Sequence, residues 1–287
     1  MSSGRLLLGY DGSPQADHAI AVAGALFPGA EAVLAHAWHA PWPSHEALSE
    51  ILREREGTTP DDLSAALREI GQAQADEIVT AGLERAREAG FQAEPLTRQS
   101  QQGVWFELAA LGRELGARLI VTGAGGAGEK PLGRVADATV RLAEQPVLVV
   151  RPGSPVPSRD APLVIGYDGS DHAALAIEEA AGLLPARRAL VVHVGHLDSA
   201  EQGARIASEA GLEAQPRAES PDPRGVVRPE GAAWHRLASV AEETGAAAIV
   251  IGQSGAGAVR RFLLGSVAGG LLRHADVSVL VAPRREG

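Results

Sequence analysis

The pentapeptide GYDGS occurs at residues 9–13 and again at 166–170. Each copy follows a short apolar run, Leu6-Leu7-Leu8 in the first case and Leu163-Val164-Ile165 in the second. A continuous apolar run of this length reads as a strand covered on both faces. The pentapeptide then turns the chain. Its second glycine permits a tight corner, and Ser13 or Ser170 stands where the N-cap of a following helix belongs, with Pro14 suited to the first helical position. Asp11 and Asp168 are left at the carboxyl end of a strand, where α/β sheets bind ligands. An Asp in such a corner also orders the turn backbone with no ligand present. Both readings are open at this point.

The repetition extends beyond the corner. The two pentapeptides are 157 positions apart, and that offset holds through VLAHAWH (33–39) against LVVHVGH (190–196). It falls to 121 at FQAEP (91–95) against LEAQP (212–216), rises to 129 at GARLIVTG (116–123) against GAAAIVIG (245–252), and ends at 132 at QPVLVV (145–150) against VSVLVA (277–282). Two homologous halves account for this. The stretch RPGSPVPSRDAP (151–162), with four prolines, suits neither helix nor strand and joins them. The division is a first domain over 1–152, a linker over 153–160 and a second domain over 161–287. In the first half strands are expected near 5–10, 31–38, 91–97, 117–123 and 146–151, and helices near 14–26, 61–89, 103–115 and 134–143. Strand–helix alternation gives a doubly wound parallel α/β sheet in each half.

Composition narrows the function. The chain of 287 residues has no cysteine, which excludes disulfides and thiol chemistry. Aromatic residues are 3%, so the cores must rest on Ala, Val, Leu and Ile. A formal charge of −10 argues against nucleic-acid binding. No apolar run is long enough to span a membrane or serve as a signal peptide. The expected location is cytoplasmic.

In the second half the fourth strand runs into GQSGAGAVRRFLLGSV (252–267). Gly252 and Gly255 are followed by nine residues, then Gly265 and Ser266. Glycines let backbone N–H groups approach an anion, and a helix start adds partial positive charge. Ser266 is expected to cap that helix. Arg260 and Arg261 stand within the loop, in reach of a polyphosphate. Here the chain resembles the universal stress protein family, specifically its tandem-domain members. The resemblance rests on the GYDGS corner, the VHVGH strand end and the glycine spacing. It implies a five-stranded parallel sheet flanked by helices in each of two tandem domains, and ATP, with or without Mg²⁺, as ligand. Carried over, it places Gly166, Asp168, Val194, Gly252, Gly255, Gly257, Gly265, Ser266 and Val267 around the nucleotide. It also implies pairing of the two last strands, an internal pseudo-dimer, and association of chains into a homodimer. The protein partner is unspecified.

The first half departs from the pattern. Gly123-Ala124-Gly125-Gly126 is followed by only six residues before Gly133, and Arg134 stands where the second half has Ser266. Arg134 is expected to fill the space at the helix start, so that ATP binds mainly in the second domain. GAGGAG (123–128) matches a dinucleotide fingerprint, but it follows the fourth strand rather than the first and no helix opens after it.

The remaining motifs have plainer readings. His36 and His193 occupy matching strand positions and are expected to be structural rather than metal ligands. Trp38, His39, Trp42 and His45 read as a packed cluster under an insertion at 40–75. The following amphipathic stretch carries Leu63, Leu67, Ile70, Ile78 and Leu83 on related turns. Arg224 and Arg228 lie in a Pro-rich loop (220–231) that could cover the site. No catalytic residue is assigned. A regulatory ATP-binding role leads. A slow ATPase or phosphotransferase, and a nucleotide-free scaffold, are the alternatives.

Overall fold

The computed structural model describes residues 4–39, 59–100, 103–125, 132–220, 229–254 and 264–284. The first half runs β1 (Leu6–Gly9), α1 (Pro14–Leu26), β2 (Glu31–Trp38), α2 (Pro60–Glu88), β3 (Gln92–Gln99), α3 (Val104–Glu114), β4 (Leu119–Gly123), α4 (Arg134–Leu142) and β5 (Val147–Val150). The second runs β6 (Leu163–Gly166), α5 (Asp171–Leu183), β7 (Arg188–Val194), α6 (Leu197–Glu209), β8 (Glu213–Glu219), α7 (Pro229–Thr244), β9 (Ala248–Gly252), α8 (Ser266–His274) and β10 (Val279–Ala282). Every strand and helix expected of the first half is present, with ends moved by at most two residues.

The strands form one ten-stranded sheet in the order β3-β2-β1-β4-β5-β10-β9-β6-β7-β8. Within each half all pairings are parallel. The halves meet where β5 and β10 pair antiparallel, with Leu148 opposite Leu280. Both strands are wholly buried four-residue apolar runs. Left unpaired, each would be a hydrophobic edge, and each instead covers the other. The two outer edges, β3 and β8, carry Pro95 and Pro216 at matching positions, which blocks further strand addition.

Alternating strand residues feed two cores. Leu6 and Leu8 pack under α1 and α2, while Leu7 packs under α3 and α4, and the second half repeats this with α5 and α6 on one face and α7 and α8 on the other. Alanine is used heavily in both cores, so the layers approach closely. The clearest case is Tyr10, whose ring lies against Gly82 of α2. A Cβ there would sit 2.5 Å from the ring. Tyr167 lies against Gly203 of α6 in the same way, at 2.8 Å.

The two halves differ most at α2, which has 29 residues against 13 in α6. Its buried side is Ala66, Ala75, Val79, Leu83 and Ala86. Ile70, expected on that stripe, is instead 44% exposed. Three of those five residues are alanines, which let the helix approach the sheet closely, and Ile70 is turned outward. Trp38 is buried as expected. Trp42, His45 and the rest of 40–58 lie outside the described residues. Among those residues no helix is long and apolar enough to cross a membrane.

Candidate functional site

A strand order of 3-2-1-4-5 reverses direction between the first and fourth strands, and ligands bind beyond the carboxyl ends of the strands at such a point. The order therefore places the switch between β1 and β4, and again between β6 and β9. GYDGS leaves β1 and β6. The glycine loops leave β4 and β9. The fold thus brings together two motifs that lie 110 positions apart in the first half, Ser13 to Gly123, and 82 in the second, Ser170 to Gly252.

The corners are built alike. Asp11 Oδ1 accepts the Ser13 N–H at 3.0 Å and Asp168 Oδ1 accepts the Ser170 N–H at 3.0 Å. Ser13 Oγ caps α1 by accepting the Ala16 N–H, and Ser170 Oγ caps α5 by accepting the Ala173 N–H, both at 3.2 Å. Ser170 also donates its hydroxyl to Asp168 Oδ1 at 2.5 Å. Gly12 and Gly169 have φ of +77° and +83°, which strains any other residue. The turn-ordering role of both aspartates is therefore real, and both side chains are exposed at the strand end.

His36 and His193 complete the corner. Their Nδ1 atoms lie 2.7 and 2.8 Å from the carbonyl oxygens of Tyr10 and Tyr167. A carbonyl only accepts, so Nδ1 carries the proton in both rings. Each histidine ties the end of its second strand to the corner leaving its first. Among the described residues no group of three or more His, Asp or Glu is placed to hold a metal.

The tyrosines differ. Tyr10 donates its hydroxyl to Asp17 Oδ1 at 2.8 Å. Burial, then that hydrogen bond and the negative charge of Asp17, push Tyr10 up to about 12. Tyr167 is also raised, by burial and by the carboxylates of Asp168 and Asp171. Ala174 stands where the first half has Asp17.

In the second half the loop begins where Gly252 meets the start of α5. A Cβ on Gly252 would lie 2.8 Å from the His172 carbonyl oxygen. The loop is closed at its base by the Gly265 N–H, which donates to the Gln253 carbonyl at 3.0 Å. The N-cap of α8 is Gly265, which has no side chain to make a capping bond, and Ser266 is the first helical residue rather than the cap. This corrects the sequence expectation. Gly265 holds the extended dihedrals of a cap (φ −60°, ψ 157°), and the helix begins one residue later. The first bond within the helix is Gly269 N–H to Gly265 carbonyl, so the N–H groups of Ser266, Val267 and Ala268 have no partner from an earlier turn. Ser254 Oγ is buried at the loop entrance with no hydrogen-bond partner among the described residues. Gly166 lets Leu237 of α7 pack onto the end of β6, since a Cβ would be 2.9 Å from its Cδ1. Val194 ends β7, opposite Glu219. Gly255, Gly257, Arg260, Arg261, Arg224 and Arg228 lie outside the described residues.

The first half has the same base, with the Gly133 N–H donating to the Ala124 carbonyl at 2.7 Å and Gly133 as the uncapped N-cap of α4. Arg134 does not fill the space at the helix start, contrary to the sequence expectation. It is exposed, and it borders a cavity of about 390 Å³. Sequence reasoning also missed Gln253, whose buried side chain reaches α4 of the other half.

Comparison with known proteins follows the same division. A family model described as the universal stress protein family matches residues 3–151 and 161–283. A universal stress protein from Archaeoglobus fulgidus is 18% identical with a TM-score of 0.66, over 98% of this chain and 97% of that one. A protein of unknown function from Pseudomonas aeruginosa is 15% identical with a TM-score of 0.57, over 98% and 93%. A universal stress protein in complex with cAMP is 22% identical with a TM-score of 0.35, over 43% of this chain and 96% of that one. At these identities the full-length likenesses show the fold. No curated protein matches the chain.

Proposed function

Because the chain belongs to the universal stress protein family over both of its halves, we propose that it is a nucleotide-binding regulatory protein that takes ATP at the switch point between β6 and β9. The observation that carries this reading is the start of α8. Its cap is a glycine, its first N–H groups are left without partners in the helix, and it stands beside a loop anchored at Gln253. Such an end favours an anion through both the N–H groups and the helix dipole. Ser254, buried with a hydroxyl that has no partner among the described residues, is a further donor at the loop entrance. The residues present therefore fit a phosphate chain.

In this reading Gly265, Ser266 and Val267 hold phosphate oxygens, with Gly252, Gly255 and Gly257 allowing the backbone to approach. Asp168, exposed beside the corner at Gly166, accepts from ribose hydroxyls. Val194 lies against the base. The loop sequence between Gly252 and Gly265 carries Arg260 and Arg261 and no acid, whereas Glu129 offsets Lys130 in the first-half loop. A polyphosphate is thus better compensated in the second half. ATP acts as a ligand that favours one conformation or partner-binding state over another.

Calorimetric titration with ATP tests this directly. The expected result is one site per chain. Two equivalent sites, or no saturable heat, would overturn the reading.

A further inference from the structure

The switch point of the first half holds a cavity beyond the carboxyl ends of β1 and β4. Its volume of about 390 Å³ falls in the range of small-molecule pockets, roughly 300–1,000 Å³. Three residues of its wall are smaller than their counterparts in the second half. Ala37 stands where the second half has Val194, Ala124 where it has Gln253, and Gly125 where it has Ser254. The space left is walled mainly by apolar groups, among them Ala16, Ala35, Leu108 and Ala136.

Two charged side chains border it. Arg134 is exposed at the first position of α4 and has no ion-pair partner among the described residues. Asp11 stands at the end of β1, with one oxygen on the Ser13 N–H. The two do not pair with each other. One guanidinium and one helix start compensate a single negative group. They do not compensate a triphosphate beside a carboxylate, because close like charges repel.

We propose that this cavity is a second ligand site with its own specificity, for a compact amphipathic anion. Such a ligand has a small apolar body against the alanine walls and one carboxylate or phosphate monoester on Arg134. A hydroxyl or amino group on the body would donate to Asp11. The site stands whether or not the second half takes ATP.

The test uses the full chain, titrated with phenyl phosphate and with benzoate, which share a ring and differ in the anion, and with benzyl alcohol as the neutral control. At least one anion should bind saturably, at one site per chain, about tenfold or more tighter than benzyl alcohol. Arg134→Ser, which installs the residue of the second half at an exposed position, should weaken that binding about tenfold or more, the effect of losing one charge-assisted hydrogen bond. Ala37→Leu should abolish it by filling the cavity. If Ala37→Leu does not fold, Arg134→Ser decides. Anions binding no tighter than benzyl alcohol, or unchanged affinity in Arg134→Ser, would overturn the proposal. So would displacement of the bound anion by ATP. Failure of the ATP reading is seen separately, as the absence of ATP heat in a protein that still binds the anion.

Discussion

The side-chain amide of Gln253, in the second half, donates to the main-chain carbonyl of Val140, in the first half, at 3.0 Å, and to that of Arg141 at 3.3 Å. These carbonyls belong to the last turn of α4, where no partner exists within the helix. The favour is returned by a different residue. Arg151 of the first half donates to the carbonyls of Leu272 and Ala275, at the end of α8, at 3.2 and 3.0 Å. Each helix that follows a glycine loop is therefore terminated by a donor from the other half. The seam is more than the pairing of β5 with β10.

Gln253→Ala places in the second half the residue that the first half has, Ala124. It removes a buried donor and leaves two carbonyls facing the gap. The expected loss is about 1–3 kcal/mol of unfolding free energy. Urea denaturation of the full chain measures it. A loss below about 0.5 kcal/mol, the range of ordinary surface changes, would mean that water replaces the amide and that the seam does not depend on it.

Gly82→Ala tests the packing under the first corner. In an exposed helix this change stabilises by about 1 kcal/mol. Here the new Cβ would lie 2.5 Å from the Tyr10 ring, which is buried and held by Asp17. Overpacking of this kind costs about 1–3 kcal/mol, so the net effect is destabilising. Gly203→Ala meets Tyr167 at 2.8 Å, and Ala174 offers that ring no comparable anchor, so its loss is the smaller. A rise in melting temperature for Gly82→Ala would refute this account of the contact.

Much of this architecture is legible in the sequence, for a physical reason. Strands buried on both faces must be continuously apolar, so Leu6-Leu7-Leu8 and Val147 to Val150 declare themselves. GYDGS works through local bonds, Asp to Ser and Ser to the helix, that span two or three residues. What is not legible depends on partners distant in the chain or on side chains that are missing. Gln253 reads as a loop residue because its acceptors lie 113 and 112 positions away. The first-half cavity is lined by small residues, Ala37, Ala124 and Gly125 among them, and no motif marks an empty volume. The cap of α8 is misread because Gly and Ser both suit that position, and only the backbone dihedrals choose between Gly265 and Ser266. On the stripe of α2 only Ile70 is misplaced, because close packing selects Ala66 and Ala75 over the more hydrophobic Ile70.

The two tyrosines predict an alkaline transition. In the unfolded chain both ionise near the ordinary value of about 10. In the folded protein Tyr10 ionises at about 12, and Tyr167 is also raised. The unfolded state therefore releases these protons first as the pH rises. The stability they contribute is fully present below about pH 10 and is lost as the pH rises above it, for Tyr10 through about pH 12. Tyrosinate absorbance should show two groups titrating late in the native protein, and only one in Tyr10→Phe. Ionisation of both near pH 10 in the native state would contradict the buried Tyr10–Asp17 bond.

Gly265→Val and Ser266→Arg add bulk at the start of α8, and Arg134 already stands at the position matching Ser266 in the first half. Ser266 is exposed, so the fold should survive Ser266→Arg. ATP affinity should fall about tenfold or more, equal to about 1.4 kcal/mol. Unchanged affinity in either folded variant would place the phosphate chain elsewhere.

Asp11 and Asp168 hold the same turn bond, so each is a control for the other. Replacing either with Ala removes a side-chain acceptor from the corner and should cost on the order of 1 kcal/mol. Asp168→Ala should cost slightly more, because it also releases the Ser170 hydroxyl. Their effects on ATP should diverge. A ligand that binds only the folded state raises the melting temperature. That rise should persist in Asp11→Ala, whose carboxylate borders the first-half cavity, and shrink in Asp168→Ala, whose carboxylate stands beside the intact loop. Thermal melts of both variants with and without ATP separate the two roles, since the turn contribution appears without nucleotide and the ligand contribution only with it. Equal rises in the two variants would leave the second GYDGS as a repeated folding corner and remove Asp168 from the nucleotide site.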